Sequence, residues 1–176
     1  MKSITILGLD PGKNNFAYAV TQVKLGLPFK YRFRETGMIE NPVTDLTGSL
    51  INQKEAFKEE VQGIINEHGV DIIVAERFQN RGRMGGATGE LVSFMLGVLS
   101  EFEVADLMLV TAAQWKNAFN RVQDLKALYA ESDLVAHRID AANISLYGAC
   151  VYLEEKPFAF LATGYGRYKK GLSATK

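Results

Sequence analysis

The order of apolar runs and helical repeats in this chain of 176 residues predicts an α/β domain, with a mixed five-stranded sheet and helices on both faces. Three strand-like segments come first, with turn residues between them, which indicates that the sheet begins antiparallel. Helical and strand-like segments then alternate, as in strands that are added in parallel. No repeat, linker or low-complexity tract divides the chain. We therefore expect one domain over residues 1–176, with a basic tail at about 165–176.

The predicted strands are short runs rich in Ile, Leu, Val and aromatic residues. They cover residues 3–9, 16–23, 31–38, 70–76 and 105–110. The first is followed by Pro11, Gly12 and Asn14, which favour a turn. The fourth, VDIIVAE, is apolar almost throughout, which is typical of a central strand buried on both faces.

Helices are predicted where apolar residues recur every three or four positions. The segments are 51–68, 87–102, a helix that carries Trp115 and Phe119, 123–129 and 136–153. Gly69 follows the first of them and is expected to end it. Thr111 precedes the third and is a suitable N-cap.

Composition limits the classes of function. The 20 basic and 20 acidic residues balance, so net charge alone does not indicate a nucleic-acid-binding protein. The one cysteine, Cys150, excludes an intramolecular disulfide and is expected in the core. The chain starts with a strand-like run rather than a signal peptide, and no apolar stretch is long enough to span a bilayer. We therefore expect a cytoplasmic protein without a membrane partner.

Basic residues are nevertheless clustered. Arg77, Arg81 and Arg83 follow the fourth strand in a glycine-containing stretch, and the final segment GYGRYKKGLSATK has four basic residues and no acid. Such clusters favour contact with phosphates, although a solvated surface of mixed charge would show the same pattern.

Four side chains have the character of metal ligands. Asp10 and Glu76 each come at the end of an apolar strand, which would hold their carboxylates on a rigid support at the sheet edge. His137 and Asp140 are spaced i and i+3 on a predicted helix, so both leave from one face. Mg²⁺ and Mn²⁺ prefer such oxygen-rich sites. The alternatives are that Asp10 only forms a turn and that His137 is a satisfied hydrogen-bonding residue.

The motif LGLDPG, a strand that ends in Glu and a late H-x-x-D-A on a helix together resemble the RuvC-type Holliday-junction resolvases. These are nucleases of the RNase H-like superfamily, and the compact versions from bacteriophages and large DNA viruses are the most similar. The resemblance implies an RNase H-like fold in which Asp10, Glu76 and Asp140 are carboxylate ligands and His137 is the fourth. Some members of the family have Asp at the position of His137. Two ions, Mg²⁺ or Mn²⁺, are expected in each active site.

The resemblance also implies further residues. Lys116 matches a lysine near the scissile phosphate, where a cation offsets developing charge. Phe78 matches an aromatic residue that wedges against bases at the branch point. DNA-binding residues are expected among the basic clusters: Arg77, Arg81, Arg83, Lys169 and Lys170. A surface lysine and a core phenylalanine are the structural alternatives for the first two, and Trp115 is expected in the core.

Helix 87–102 carries apolar residues on more than one face. In the family the equivalent helix lies in a two-fold dimer interface, so we expect a homodimer with one site for each of two symmetric strands. Burial of this helix within one monomer would give the same pattern.

The predicted function is therefore a metal-dependent endonuclease that resolves branched DNA, above all four-way junctions, and leaves 5′-phosphate and 3′-hydroxyl ends. No organic cofactor is expected. The alternatives are a nuclease of the same fold acting on RNA or RNA–DNA hybrids, and a binding protein that does not cleave. Sugar kinases and actin-like ATPases share the Asp-Gly turn, but the chain is too short for their second lobe.

Overall fold

The computed structural model describes residues 3–26, 30–77, 86–119 and 133–154. Nine helices and strands lie within these residues. In chain order they are β1 (Ser3–Asp10), β2 (Ala17–Lys24), β3 (Lys30–Met38), α1 (Leu50–His68), β4 (Ile72–Glu76), α2 (Gly86–Leu99), β5 (Asp106–Val110), α3 (Ala112–Phe119) and α4 (Asp133–Tyr152). The helix predicted at 123–129 and the basic tail lie outside the described residues. None of the described helices is long and apolar enough to cross a membrane.

The five strands form one sheet in the order β3-β2-β1-β4-β5. β2 is antiparallel to both β1 and β3, whereas β4 is parallel to both β1 and β5. The mixed five-stranded sheet with an antiparallel start is therefore confirmed. β1 and β4 lie inside the sheet, which accounts for their continuous apolar sequences.

Side chains alternate between the two faces of the sheet, and each face has its own helices. Leu7 and Leu9 of β1 and Ile73 of β4 share a core with α1 and α2, in which Phe57 and Met95 are fully buried. On the opposite face a second core joins the sheet to α3 and α4, and its members include Ile6, Ile72, Val74, Trp115 and Ile144. Helices on both faces of the sheet are thus confirmed.

α4 lies unusually close to β1 and β4, because glycines stand at the points of contact. A Cβ on Gly8 would lie 2.3 Å from the carbonyl oxygen of Ala141, and a Cβ on Gly148 would lie 2.2 Å from Cγ2 of Val74. Farther across the sheet, the Ser145 hydroxyl lies 2.5 Å from the Thr21 hydroxyl in a buried hydrogen bond. These contacts fix the position of α4 along the sheet.

The predicted helix ends are confirmed where the chain supplies capping residues. The amide of Gln114 donates to Thr111 Oγ1 at 3.3 Å, and the amide of Thr111 donates to Gln114 Oε1 at 2.7 Å, which forms a capping box at the start of α3. Gly69 adopts the left-handed conformation at φ 61° and ends α1. α2 ends at Leu99, earlier than predicted, and Phe102 is buried just beyond it.

Most of the apolar side chains of α2 are buried in the core of the monomer. Leu91, Val92, Met95 and Leu99 are buried in the core that α2 shares with α1 and the sheet. Burial in the monomer therefore explains most of the apolar pattern of this helix, and a homodimer stays a prediction. Cys150 is buried in α4, as expected.

Candidate metal centre

Asp10 and Glu76 are the last residues of two neighbouring parallel strands. The pairing of β1 with β4 places Leu9 opposite Ala75, so the next residues on each strand are Asp10 and Glu76. Because Gly8, two residues earlier, packs against α4, Asp10 leaves the sheet on the face that α4 covers. Glu76 projects from the same face of the sheet, because it lies two residues after Val74, which packs against α4. Strand pairing thus sets the two carboxylates side by side, as the sequence predicts.

His137 on α4 contacts Asp10 directly. Its Nδ1 lies 2.6 Å from Asp10 Oδ2, and when Nδ1 carries the proton the ring donates a hydrogen bond to the carboxylate. The Asp10 side chain is only 13% exposed, whereas that of His137 is 37% exposed. The hydrogen-bonded arrangement considered for His137 is present here, and its partner is itself a candidate metal ligand.

Asp140 lies one turn after His137 and meets Lys116 of α3. The Lys116 ammonium is 3.9 Å from Asp140 Oδ2, at the limit of an ion pair, and it lies 4.8 Å from the centre of the Trp115 ring. The Lys116 side chain is 39% exposed and that of Asp140 16%. Lys116 therefore stands at the solvent edge of the site.

Glu76 is a partly buried acid at the end of β4. Burial raises the pKa of its carboxyl above the usual value, and the negative charges of Asp10 and Asp140 raise it further. The indole N–H of Trp115, which donates to Glu76 Oε2 at 2.6 Å, and the Lys116 charge oppose this rise in pKa. Asp10 and Asp140 thus each lie near enough to Glu76 to disfavour its negative charge.

This arrangement fits oxygen-preferring divalent ions. Carboxylates from β1, β4 and α4 converge at one end of the sheet, beside an imidazole, and a bound cation would offset the repulsion that Asp10 and Asp140 exert on Glu76. The residues that would hold Mg²⁺ or Mn²⁺ are Asp10, Glu76 and Asp140, with His137 as a further nitrogen donor or as the partner of Asp10. The four predicted ligands are therefore brought together at one place.

A second group of possible metal ligands lies elsewhere on the sheet. Among the described residues, donor atoms that all lie within 4.8 Å of one another occur in Glu35, Glu67 and His68, where β3 meets the end of α1. Both carboxylate oxygens of Glu35 are engaged, one by the Tyr18 hydroxyl and the other by His68 Nε2 at 2.8 Å. We therefore interpret this group as a hydrogen-bonded link between β3 and α1.

The remaining predicted site residues are placed only in part. Arg77 directly follows β4, is exposed, and donates its backbone N–H to the Val110 carbonyl oxygen at 2.6 Å. The other predicted DNA-binding residues lie outside the described part of the chain: Phe78, Arg81, Arg83, Lys169 and Lys170.

The contact between Trp115 and Glu76 is not among the predictions from the sequence. Trp115 is fully buried, as predicted, but its N–H also holds Glu76. A usable signal was present, because a buried indole N–H normally finds a hydrogen-bond acceptor.

With this geometry, the chain has the RNase H-like fold of RuvC-type Holliday-junction resolvases. It is similar to the solved structure of Thermus thermophilus RuvC, with a TM-score of 0.60 and 15% identity over 86% of this chain and 97% of that one. The T. thermophilus RuvC in complex with a Holliday junction substrate gives a TM-score of 0.60 and 16% identity over 83% and 93% of the two chains.

The yeast mitochondrial Holliday junction resolvase Ydc2 is more distant. Its TM-score is 0.49, with 16% identity over 80% of this chain and 76% of that one. No protein-family model and no curated protein matches the sequence. At these identities the likeness establishes the fold, and the chemistry has to be argued from the residues themselves.

Proposed function

We propose that this protein is a divalent-metal-dependent endonuclease that cleaves branched DNA, with the four-way junction as its main substrate. The observation that carries the proposal is the convergence of Asp10, Glu76 and Asp140 at one end of the sheet. A second support is the fold, which is shared with a RuvC that has been solved with a Holliday junction substrate.

Bound Mg²⁺ or Mn²⁺, most simply as a pair of ions, would supply Lewis-acid stabilisation and a water nucleophile at neutral pH. Asp10, on the central strand of the sheet, would be one of the ligands. Its contact with His137 orients both groups. Lys116, which lies 3.9 Å from Asp140 at the edge of the site, would offset the charge that develops on the phosphate. The expected products carry 5′-phosphate and 3′-hydroxyl ends.

We propose that DNA is contacted by residues that follow β4 in the chain, next to the metal site. Arg77 is exposed one residue beyond Glu76, so a phosphate contact near the metal site is proposed for it. By sequence, the same role is proposed for Arg81, Arg83, Lys169 and Lys170, and a base-stacking role for Phe78. A homodimer is proposed because a junction has two symmetric strands to cut.

The test is incubation of a labelled immobile four-way junction with the protein, with and without Mg²⁺. We expect paired nicks on opposing strands that require the metal. The variants Asp10→Asn and Asp140→Asn should lose cleavage and retain junction binding, because each removes a charge but keeps the side-chain size. Asp106→Asn is the matched control, since Asp106 is exposed at the opposite end of the parallel strands. Near-normal cleavage by Asp10→Asn would refute the assignment.

The same experiment separates the alternatives when flap and RNA–DNA hybrid substrates of matched length are included. Preferential cleavage of the hybrid would identify an RNA-directed nuclease of this fold. Stabilisation by Mn²⁺ without nicking of any substrate would instead indicate a branched-nucleic-acid-binding protein.

A further inference from the structure

Trp115 is the single tryptophan of the chain, and its indole is fully buried. Buried indole N–H groups need an acceptor, and a backbone carbonyl would serve. Here the acceptor is instead the carboxylate of Glu76, at 2.6 Å. A hydrogen bond to an ionised group is shorter and stronger than one between neutral groups, so this contact orients the carboxylate.

The donor is held rigidly. α3 begins with the capping box between Thr111 and Gln114, directly after β5, and the Trp115 ring is part of the core under α4. Glu76 ends β4, the neighbour of β5 in the sheet. Donor and acceptor thus stand on two elements whose relative position is set by strand pairing, and neither has to move for the bond to form.

Trp115 also contacts the next residue at the site. The Lys116 ammonium lies 4.8 Å from the centre of the indole ring and 3.9 Å from Asp140 Oδ2. An indole face attracts a cation, which limits the positions that the flexible lysine chain samples. Two neighbouring residues therefore contact two of the candidate ligands: Trp115 contacts Glu76, and Lys116 contacts Asp140.

We propose that Trp115 is a positioning residue of the metal centre. Its N–H holds Oε2 of Glu76, so that Oε1 is presented to a divalent ion, and its ring keeps Lys116 beside Asp140. Without this donor, repulsion from Asp10 and Asp140 would favour rotation of the Glu76 carboxylate away from the site. The metal part of this inference rests on the proposed function, and the hydrogen bond does not.

The sharpest perturbation replaces the indole N–H alone. Trp115→3-benzothienylalanine keeps the size and the aromatic face of the ring but has sulfur where the donor stands. Loss of a residue that supports a metal ligand typically weakens metal binding by about 10–100-fold. We expect that weakening in the dissociation constant for Mn²⁺, measured by calorimetry without DNA, and a matching rise in the Mg²⁺ concentration for half-maximal cleavage. At saturating Mg²⁺ most of the cleavage rate should return.

Trp115→Phe is a second variant that needs no unnatural amino acid, and Ile72→Val is its matched control. Ile72 is fully buried in the same core, at the far end of β4 from Glu76. If Trp115→Phe acted only through packing, Ile72→Val would also raise the Mg²⁺ requirement, in proportion to its own loss of melting temperature. We expect Ile72→Val to leave that requirement unchanged.

The hydrogen bond can be tested without metal or DNA, because a single tryptophan gives a single indole N–H resonance. In the metal-free protein this proton should lie downfield, as expected for a donor to a carboxylate, and Glu76→Ala should move it upfield. An indole proton unaffected by Glu76→Ala would overturn the proposal.

The two proposals fail in different ways. A wild-type protein that binds Mn²⁺ and nicks junctions, with a benzothienyl variant that does both equally well, would sink the role of Trp115 and leave the nuclease standing. A wild-type protein that neither binds Mn²⁺ nor nicks any substrate would sink the proposed function, and with it the metal-positioning role.

Discussion

The close approach of α4 to β1 can be tested by adding one methyl group at Gly8. A Cβ at this position would lie 2.3 Å from the Ala141 carbonyl oxygen and 2.6 Å from Ser145 Cβ. Two of the nearest atoms belong to the α4 backbone, so the clash cannot be relieved by a side-chain rotation. In Gly8→Ala the helix itself has to move away from the strand.

We expect two consequences of that movement. Overpacking of a tight core costs about 1–3 kcal/mol, and for a domain of this size each kcal/mol lowers the melting temperature by roughly 2–4 °C. Gly8→Ala should therefore melt about 2–12 °C below the wild type. Because α4 carries His137 and Asp140, its displacement also separates them from Asp10 and Glu76. A misplacement of about 1 Å at a catalytic site can cost roughly 100-fold in rate.

Thermal unfolding followed by circular dichroism, together with junction nicking at saturating Mg²⁺, measures both effects. Gly63→Ala is the matched control, because the position is exposed on α1 and an added Cβ would meet nothing within 4 Å. That variant should gain up to about 1 kcal/mol from helix propensity and cleave normally. A Gly8→Ala protein with wild-type melting temperature and wild-type nicking would refute the argument that α4 is seated on this glycine.

Three further predictions concern charge. If Mg²⁺ binds between the acids as proposed, Mg²⁺ at about 100 times its dissociation constant should stabilise the fold by about 2.7 kcal/mol, and Asp10→Asn should lose this stabilisation. An equal shift of the melting temperature in both proteins would contradict this prediction. The raised pKa of Glu76 means that its ionisation opposes folding, so the metal-free protein should lose stability as pH rises above the ordinary glutamate value of 4.5, and Glu76→Gln should flatten that dependence in thermal melts across pH. The Tyr18 hydrogen bond, followed by the contact with His68, lowers the pKa of Glu35, so the ionised Glu35 stabilises the fold above the ordinary glutamate pKa, and this stabilisation is lost as pH falls through the lowered pKa. Tyr18→Phe should therefore lower the free energy of unfolding in urea by about 1 kcal/mol at neutral pH. An unchanged free energy of unfolding would argue against the link between β3 and α1.

Local sequence patterns are sufficient for much of this structure. Continuous apolar runs predict β1 and β4. The acid that follows each run is the last residue of its strand and therefore lies at the C-terminal end of the parallel strands. The i and i+3 spacing places His137 and Asp140 on one face of α4. Thr111 caps the start of α3 because its side chain accepts a hydrogen bond from the amide of Gln114, three positions later. Each of these features depends on a handful of neighbouring residues, which is why the sequence alone predicts it.

Other features depend on partners that are far apart in the chain. In β3, Phe33 pairs with Thr21 and Glu35 pairs with Val20, so Arg34 has no partner opposite it. This bulge turns Glu35 towards α1 although Tyr31 and Phe33 face α4, and the alternation of the sequence contains no sign of it.

Three more features also depend on partners that are far apart in the chain. They are the hydrogen bond between Trp115 and Glu76, the close packing of α4 on Gly8, and the burial of α2 in the monomer. The sequence by itself determined which elements form and which acids stand at their ends. Only the tertiary structure decided which of these groups meet, because such contacts depend on the register of the strands and on how closely the helices pack against them.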